Sequence, residues 1–361
     1  MHDLPAERLD YPFDPVHVAT EPAHPRDAAR LMVIDRARGT VEHAHVRDLG
    51  RWIGAGDALV VNRSSVLRAR LVMEGTEGLL LEPCADGCWR MMLRRAKRFA
   101  AGDRLPLLGP HGATGDAVLL VARDAEAWRV RLAAGPAGGS EADIIERSGW
   151  TPLPPYILKA REARHESGDD DADRREYECV YADAAARGSV AAPTAGLHFT
   201  DGLLKALAAR GVGRHELILD VGAGTFKPVE TDTLQAHDMH AEHFMVPREV
   251  LSMLAAARAA QTGGERRIVA VGTTTVRALE SLPDPLPPGD RDFDAITRIL
   301  ISPGFRWRFT DALMTNFHLP RSTLLALVGS FCGMELMREA YATAVRERYR
   351  FYSYGDAMLI L

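Results

Sequence analysis

Apolar residues along the chain occur in short runs that glycine, proline and polar residues interrupt. Residues 31–35 and 41–46 predict a β-hairpin, with Gly39 supplying the turn. From residue 63 to about residue 149, short alternating runs recur between glycines and prolines. Strands at this spacing are typical of a small barrel or sandwich.

Beyond residue 150 the pattern changes to alternating strands and helices. A helix is predicted after Thr200, which is placed as its N-cap, and a second, apolar helix after Ser322. Pro247 opens a third helix. Residues 268–271 and 299–301 are predicted as buried strands.

The stretch 161–178 is rich in acids and arginines and holds almost no apolar residue, so it predicts a mobile loop. The whole pattern therefore predicts an α/β protein with two domains, or with one large α/β domain that carries an insertion. The change of pattern places the small barrel or sandwich at residues 63–149.

The amino-acid composition limits the classes of protein to which the chain can belong. The 361 residues are 47% hydrophobic and 26% charged, as in ordinary folded chains. The 44 basic and 49 acidic residues give a net charge of −5, so affinity for nucleic acid requires a local basic face. Residues 1–30 lack a secretory signal and no window has the roughly 18 apolar residues of a membrane helix, so we expect a cytoplasmic protein. The cysteines lack zinc-ligand spacing and are read as free thiols.

The first candidate cluster is residues 189–200, where a strand-like run ends and His198 precedes a helix start. A ligand there meets both an imidazole and free backbone N–H groups. The other candidate substrate contacts in this segment are Thr194, Gly196 and Thr200. An isolated histidine in a capped turn is more often a packing residue, so the segment alone does not settle its role.

A glycine-rich segment at residues 217–226 resembles the first motif of Rossmann methyltransferases. Gly222, Gly224 and Thr225 would let the backbone approach a nucleoside. A nucleotide loop of that kind needs a helix directly after its glycines, yet a lysine and a proline follow here. The methyltransferase interpretation is therefore a weak alternative.

His237, His240 and His243 are spaced by three, with Glu242 before the last. On a helix each step of three rotates by about 300°, so the outer two histidines diverge by about 120°. This is a poorer chelate than an i, i+4 pair, and a zinc site is less favoured than acid/base or hydrogen-bonding roles. A histidine-rich surface turn remains the plain alternative.

Two further helix starts carry polar residues. Gly272, Thr273 and Thr274 follow a predicted strand and, with Arg277, suit a carboxylate or phosphate, although an ordinary N-cap would have the same appearance. Residues 315–323 include three polar residues that capping by Ser322 does not explain. These three are Asn316, His318 and Arg321.

Two basic runs are candidates for RNA binding. One lies in the predicted barrel and the other at the C-terminus among tyrosines, so together they offer phosphate contacts and base stacking. The first run holds Arg94, Arg95, Lys97 and Arg98, and the second holds Arg346, Arg348 and Arg350. A short basic run on a strand is more often a solvated face.

These clusters, in this order, resemble the S-adenosylmethionine:tRNA ribosyltransferase-isomerase family of queuosine biosynthesis. The resemblance covers nearly the whole chain. The matching motifs lie at residues 21–27, 152–157, 189–200, 221–226, 237–242, 271–274, 315–320 and 349–356.

The resemblance implies an α/β-barrel-like catalytic domain, residues 1–62 and 150–361, that is interrupted by an inserted β-barrel domain, residues 63–149. It also implies that the ribosyl group of S-adenosylmethionine is transferred to 7-aminomethyl-7-deazaguanine at the tRNA wobble position and isomerised. Epoxyqueuosine forms, and adenine and methionine are released. No metal or redox cofactor is implied, and we expect a monomer.

The implied chemistry needs a base that removes a proton from C5′ beside the sulfonium. A histidine with a pKa near neutral is the natural proton carrier. The candidates are His198, His240 and His318, with Glu242 orienting or sharing protons, and the sequence does not rank them.

Two departures from the family's pattern leave alternatives open. Residues 62–65 read Asn-Arg-Ser-Ser, which reverses a charge, and Asp220 replaces a histidine. One alternative is a homologue that acts on a free deazapurine nucleoside or base. Another is a non-catalytic RNA-binding relative.

Overall fold

The computed structural model describes residues 3–124, 127–222, 224, 229–259 and 266–361. In this part the chain is a mixed α/β structure with a nine-stranded sheet, a seven-stranded sheet and a two-stranded pair. The predicted α/β class with an inserted β-barrel is confirmed. The domain boundaries at residues 62/63 and 149/150 remain a prediction.

The described strands, in chain order, are β1 (Arg30–Asp35), β2 (Thr40–His45), β3 (Ala58–Asn62), β4 (Ser64–Val66), β5 (Arg70–Met73), β6 (Thr76–Pro83), β7 (Trp89–Leu93), β8 (Arg104–Gly109), β9 (Gly112–Asp124), β10 (Ala127–Ala133), β11 (Gly149–Trp150), β12 (Asp183–Ser189), β13 (Gly213–Leu219), β14 (Glu242–Val246), β15 (Ile268–Val271), β16 (Phe293–Thr297), β17 (Ala312–Asn316) and β18 (Ala357–Ile360). The described helices are α1 (Glu141–Ser148), α2 (Pro155–Arg164), α3 (Asp170–Glu176), α4 (Asp201–Ala209), α5 (Arg248–Ala259), α6 (Thr273–Glu280), α7 (Thr323–Cys332) and α8 (Met334–Arg346).

The nine-stranded sheet has the spatial order β16-β14-β13-β3-β15-β17-β18-β1-β2. Its four inner strands β13, β3, β15 and β17 are mutually parallel, so their carboxyl ends lie at one edge. The strands β3, β15 and β17 are buried throughout, as continuous apolar runs in parallel sheets usually are. Ligand sites of α/β sheets form at such an edge.

Alternate residues of each strand pack on opposite faces of this sheet. Val60 lies in the core shared with α5, α7 and α8, whereas its neighbours Leu59 and Val61 lie in the core shared with α4. The period of two follows from strand geometry, and it buries the sheet on both faces.

The inserted domain contains a closed barrel. Its strands follow the order β5-β6-β7-β10-β9-β8, and a pairing of Met73 with Leu107 closes β8 onto β5. Inward side chains such as Leu80, Val118 and Trp128 form its own core, and α1 packs against it.

Several local predictions are confirmed. β1 and β2 form the hairpin, and Gly39 adopts a φ of +64°, which favours glycine. Thr200 and Ser322 each accept a hydrogen bond from a backbone N–H in the first turn of α4 and α7. The helix after Pro247 is α5.

Two predictions are wrong. The stretch 161–178 is not a loop, because it contains the end of α2 and all of α3. Residues 299–301 form no strand, and the strand of this region is β16, six residues earlier. Within the described residues no helix is both long and apolar enough to cross a membrane.

Candidate active site

A cleft open to solvent lies at the carboxyl ends of β15 and β17. Hydroxyl groups, aromatic rings and backbone turns form most of its wall. Among the described residues that line it, none is a carboxylate, a lysine or an arginine, and His318 supplies the imidazole. The cleft therefore suits a ligand held by hydrogen bonds and ring contacts.

Asn316, the last residue of β17, is the centre of the hydrogen-bond network at the cleft. Its Nδ2 contacts Nε2 of His198 at 3.0 Å and donates to the carbonyl of Tyr352 at 3.0 Å. Its Oδ1 accepts from Oγ1 of Thr194 at 3.0 Å. Both ends of the amide are thus fixed, and Asn316 and Thr194 both line the cleft.

His198 lies behind Asn316 rather than on the cleft wall, and the residue is 4% exposed. Burial and, to a lesser extent, the charges of Arg350 and Arg26 lower the pKa of His198 to about 3. The ring is therefore neutral at pH 7, and Nε2 accepts the hydrogen bond from Asn316. The structure thus gives His198 a direct contact with Asn316, and its catalytic role stays a prediction.

His318 is the predicted proton carrier that lines the cleft. Its Nε2 lies 2.9 Å from Oγ1 of Thr315, its backbone N–H donates to the hydroxyl of Tyr341, and its carbonyl accepts from the hydroxyl of Tyr11. Burial lowers the pKa of His318 to about 3, so the pKa is not near neutral as we expected. The neutral ring accepts a proton without first losing one, but it is a weak base.

The start of α6 opens into the same cleft through Gly272, Thr273 and Thr274. Gly272 has a φ of +89°, and no side chain caps the first turn. The Oγ1 atom of Thr274 is buried and has no hydrogen-bond partner. Free N–H groups and an unpartnered hydroxyl together suit an anion such as a carboxylate.

Arg277 does not line the cleft. Its guanidinium forms a buried ion pair with Glu242, and Oε1 of Glu242 accepts from the backbone N–H of Gly222 at 3.4 Å. The exposed fractions of the two side chains are 5% and 1%. The pair therefore joins α6 to β14 and to the glycine-rich segment, and a direct role of Arg277 or Glu242 in the chemistry stays a prediction.

The remaining candidates of the glycine-rich and histidine-rich segments are Thr225, His237 and His240. Thr225 lies outside the described residues. His240 is exposed, and its ring lies so close to Gly224 that a Cβ at residue 224 would collide with it. His237 is partly exposed. The structure does not bring His240 to the cleft wall with His318.

Three other predicted substrate contacts have structural partners. Gly196 lies directly beneath the hydroxyl of Tyr181, which leaves no room for a side chain. Thr200 caps α4 and donates to Asp27 at 2.7 Å. Arg321 has a φ of +53°, and its backbone bonds to Leu9 and Val229. Contact of these residues with a substrate stays a prediction.

The predicted RNA-binding residues of the barrel are exposed. Arg94 pairs with Glu77 at 3.2 Å, and Arg95 donates to a backbone carbonyl. At the C-terminus the exposed residues are Arg346 and Arg348, whereas Arg350 lies 3.7 Å from the buried carboxylate of Asp356. The first run and two members of the second therefore remain accessible to RNA.

Sequence reasoning missed the aromatic part of the site. Tyr156 and Tyr352 line the cleft with ring centroids 4.8 Å apart, and the Tyr156 hydroxyl lies 2.5 Å from Oγ of Ser353. Tyr11 and Tyr341 reach His318 from distant segments. The tyrosines near the C-terminus were noted only as stacking partners for RNA, and no local pattern indicated the others.

The described residues contain no group of three or more histidine, cysteine, aspartate or glutamate side chains arranged to hold a metal ion. The histidine-rich segment does not form a chelate. Instead, its last member His243 lies 3.0 Å from both Asp220 and Asp294.

Comparison with protein families gives a match over nearly the whole chain. A family model described as queuosine biosynthesis protein matches residues 6–360. The S-adenosylmethionine:tRNA ribosyltransferase-isomerase of Gluconacetobacter diazotrophicus is 46% identical over 365 residues, which cover 100% of this chain and 97% of that protein. The protein of the same name from Rubrobacter xylanophilus is 43% identical over 359 residues, 98% of this chain and 97% of that protein.

A solved structure gives the same result. The crystal structure of S-adenosylmethionine tRNA ribosyltransferase from Thermotoga maritima is 32% identical in sequence and superimposes with a TM-score of 0.55. The match covers 98% of this chain and 100% of that one.

Proposed function

Because the chain belongs to the queuosine biosynthesis protein family, whose similar members are named S-adenosylmethionine:tRNA ribosyltransferase-isomerases, we propose that it catalyses that reaction on tRNA. The ribosyl group of S-adenosylmethionine is transferred to 7-aminomethyl-7-deazaguanine at the wobble position and isomerised. The products are epoxyqueuosine in tRNA, adenine and methionine.

The observation that carries the proposal is the presence in one cleft of the His318 imidazole and the uncapped start of α6. In our assignment the N–H groups of α6 and the Thr274 hydroxyl hold the methionine carboxylate. The rings of Tyr156 and Tyr352 offer π faces to the sulfonium, in a wall whose described residues include no carboxylate.

The first chemical step is removal of a C5′ proton beside the sulfonium. The positive sulfur stabilises the carbanion, so a weak base such as neutral His318 is sufficient only while the sulfonium is present. Adenine loss and ring opening follow, the amine of the deazaguanine then adds, and methionine leaves with the sulfonium electrons as the ring closes to the epoxycyclopentane. Asn316, fixed by His198 and Thr194, orients the substrate beside His318.

The proposal extends to the partners and the setting of the protein. The substrates are S-adenosylmethionine and a tRNA that carries the deazaguanine precursor, and the reaction uses no metal or redox cofactor. The protein acts as a monomer in the cytoplasm, and the exposed cations of the barrel contact tRNA phosphates.

A product assay tests the proposal. Purified protein is incubated with S-adenosylmethionine and tRNA that bears the precursor, and adenine and methionine are quantified by chromatography. We expect equal amounts of both, and none with tRNA that lacks the precursor. Turnover with the free deazapurine nucleoside and not with tRNA would show that the acceptor is the free nucleoside. S-adenosylhomocysteine as a product would contradict the proposal.

A further inference from the structure

Two tyrosines from opposite ends of the chain form hydrogen bonds with the backbone of His318. The hydroxyl of Tyr11 donates to the His318 carbonyl at 2.5 Å, and the hydroxyl of Tyr341 accepts from the His318 N–H at 3.0 Å. The partners lie 307 and 23 residues away from His318. The ring is fixed separately, because Oγ1 of Thr315 lies 2.9 Å from its Nε2.

The two tyrosines also pack on each other, and their surroundings keep them protonated. Their ring centroids are 5.0 Å apart in an edge-to-face arrangement. Burial, more than any neighbouring charge, raises the pKa of Tyr11 and of Tyr341 above the usual tyrosine range. Tyr11 therefore remains an O–H donor at every pH at which the protein would work.

The segment that carries Tyr11 is anchored on both sides of this contact. The N–H of Ala6 donates to the carbonyl of Asp232, and the N–H of Arg321 donates to the carbonyl of Leu9. Further along, the N–H of Phe351 donates to the carbonyl of His17. These bonds tie residues 6–17 to three other parts of the chain, one of which is the segment that bears His318, so the phenol of Tyr11 has a fixed place.

We propose that Tyr11 and Tyr341 are positioning residues that hold His318 at the cleft by fixing its carbonyl and its N–H. This inference rests on the proposed function, in which His318 faces the reacting carbon. On either side of His318, the Phe317 carbonyl accepts from the N–H of Tyr352 and the Leu319 carbonyl accepts from Oγ of Ser322, whereas the two tyrosine hydroxyls bond to the N–H and the carbonyl of His318 itself. Loss of either hydroxyl allows the imidazole to shift, and the rate of proton abstraction falls with the misplacement.

The test compares two phenylalanine variants with a matched control. Tyr11→Phe and Tyr341→Phe each remove one hydroxyl, and each is expected to lower kcat about tenfold while the KM values for S-adenosylmethionine and tRNA change less than about twofold. Tyr349→Phe also removes a partly buried hydrogen bond of a tyrosine hydroxyl, at 2.6 Å to Nδ1 of His43, but touches no backbone group of His318, and it should keep kcat within about twofold.

A double-mutant cycle separates positioning from a general loss of stability. In a His318→Ala background, adenine release in a single turnover should be the same with and without Tyr11→Phe, because Tyr11 acts through His318. An equal fold-loss of adenine release in both backgrounds would overturn the inference. It would also be overturned if Tyr11→Phe had the same kcat as Tyr349→Phe. If Tyr341→Phe fails to fold, the kcat of Tyr11→Phe and its double-mutant cycle test the inference. Absence of turnover by the unaltered protein would instead count against the proposed function.

Discussion

At the scale of single residues, His318 and His198 have equally low pKa values but different neighbours. His318 lines the cleft, whereas His198 lies behind Asn316 and accepts its hydrogen bond. A neutral imidazole can act as the base in the cleft or accept the hydrogen bond of Asn316, but only the role of base requires a group that takes a proton. Glutamine substitution distinguishes the two, because an amide oxygen accepts a hydrogen bond and is not a useful base.

We predict that His318→Gln lowers kcat by about 10²–10⁴-fold with little change in melting temperature. His198→Gln should keep most of the activity, because its amide oxygen replaces Nε2 as the acceptor for Asn316. Steady-state adenine release and thermal melting measure the two effects. A stably folded His198→Gln variant as inactive as His318→Gln would show that His198 takes part in proton transfer.

The two departures from the family's pattern are compensated locally. Asp220 lies 3.0 Å from Nδ1 of His243, and Arg63 forms an ion pair with Asp183 at 2.6 Å. Neither residue lines the cleft with His318. These two side chains therefore form partly buried pairs away from the cleft wall.

A pH titration tests the His243 pairing. Burial opposes the charge of His243, but hydrogen bonds to Asp220 and Asp294 outweigh it and raise the pKa above the usual value. The stabilisation is therefore fully present below the unfolded pKa of about 6.5 and is lost as pH rises through the folded pKa. Because the ring is partly exposed, we predict that His243→Gln costs about 0.5–1 kcal/mol near pH 5.5 and almost nothing at pH 9. Chemical unfolding at the two pH values measures this, and a pH-independent difference would contradict the pairing.

Sequence reasoning identified those site residues that have a polar side chain and lie near the end of a predicted strand. Asn316 ends a strand, His318 and Thr274 follow strand ends, and all three line the cleft. Tyr11 was missed because its contact spans 307 residues, and no local spacing encodes it. His198 was found, but its distance from the cleft wall depends on how two segments pack.

At the scale of the element, α6 combines an open N-terminus with a buried ion pair further along. Gly272 supplies the positive φ that turns the chain from β15 into the helix. Arg277 then pairs with Glu242, which fixes the helix against β14. The free N–H groups are thus held at the cleft by a rigid helix.

We predict that Thr274→Val weakens binding of S-adenosylmethionine about 3–10-fold, because the carboxylate loses one hydrogen bond. Binding of decarboxylated S-adenosylmethionine should change much less. Thr275→Val is the matched control, since its hydroxyl already donates to the Val271 carbonyl at the end of β15, at 2.7 Å. Calorimetry measures the affinities, and an equal loss for both ligands would place the carboxylate elsewhere.

Helix caps were predictable because they are local, whereas the stretch 161–178 was not. Its charges form pairs that the sequence order hides. Arg161 makes two hydrogen bonds to Asp173, at 2.6 and 2.7 Å, and Arg164 donates to the carbonyls of Val16 and Val18. Arginine–carboxylate pairs and backbone contacts thus replace the missing apolar face.

At the scale of the whole molecule, the order of the strands joins distant parts of the chain at the site. β18 lies between β1 and β17, so the C-terminal segment packs beside the strand that carries Asn316. The barrel insertion was visible from its alternating runs. The strand order of the large sheet was not, because pairing between β1 and β18 leaves no sequence pattern.

The net charge of −5 requires that cations be concentrated where RNA binds. We predict that replacing Arg94, Arg95, Lys97 and Arg98 by alanine weakens tRNA binding and flattens its salt dependence by roughly 0.7–0.9 in log–log slope per lost phosphate contact. Affinity for S-adenosylmethionine should stay the same. Arg38→Ala removes an exposed cation from the β1–β2 hairpin as a control. An unchanged slope in the quadruple variant would show that this run is only a solvated face. Arg346 and Arg348 would then be the remaining candidates for contact with RNA.

The fate of the ribosyl carbons tests the central claim most directly. S-adenosylmethionine labelled with one isotope in the ribosyl carbons and another in the methyl group is incubated with precursor-bearing tRNA and the protein. We predict that the ribosyl label enters the tRNA, while the methyl label is released with methionine. Methyl label in the tRNA, with the ribosyl label left in S-adenosylhomocysteine, would contradict the account.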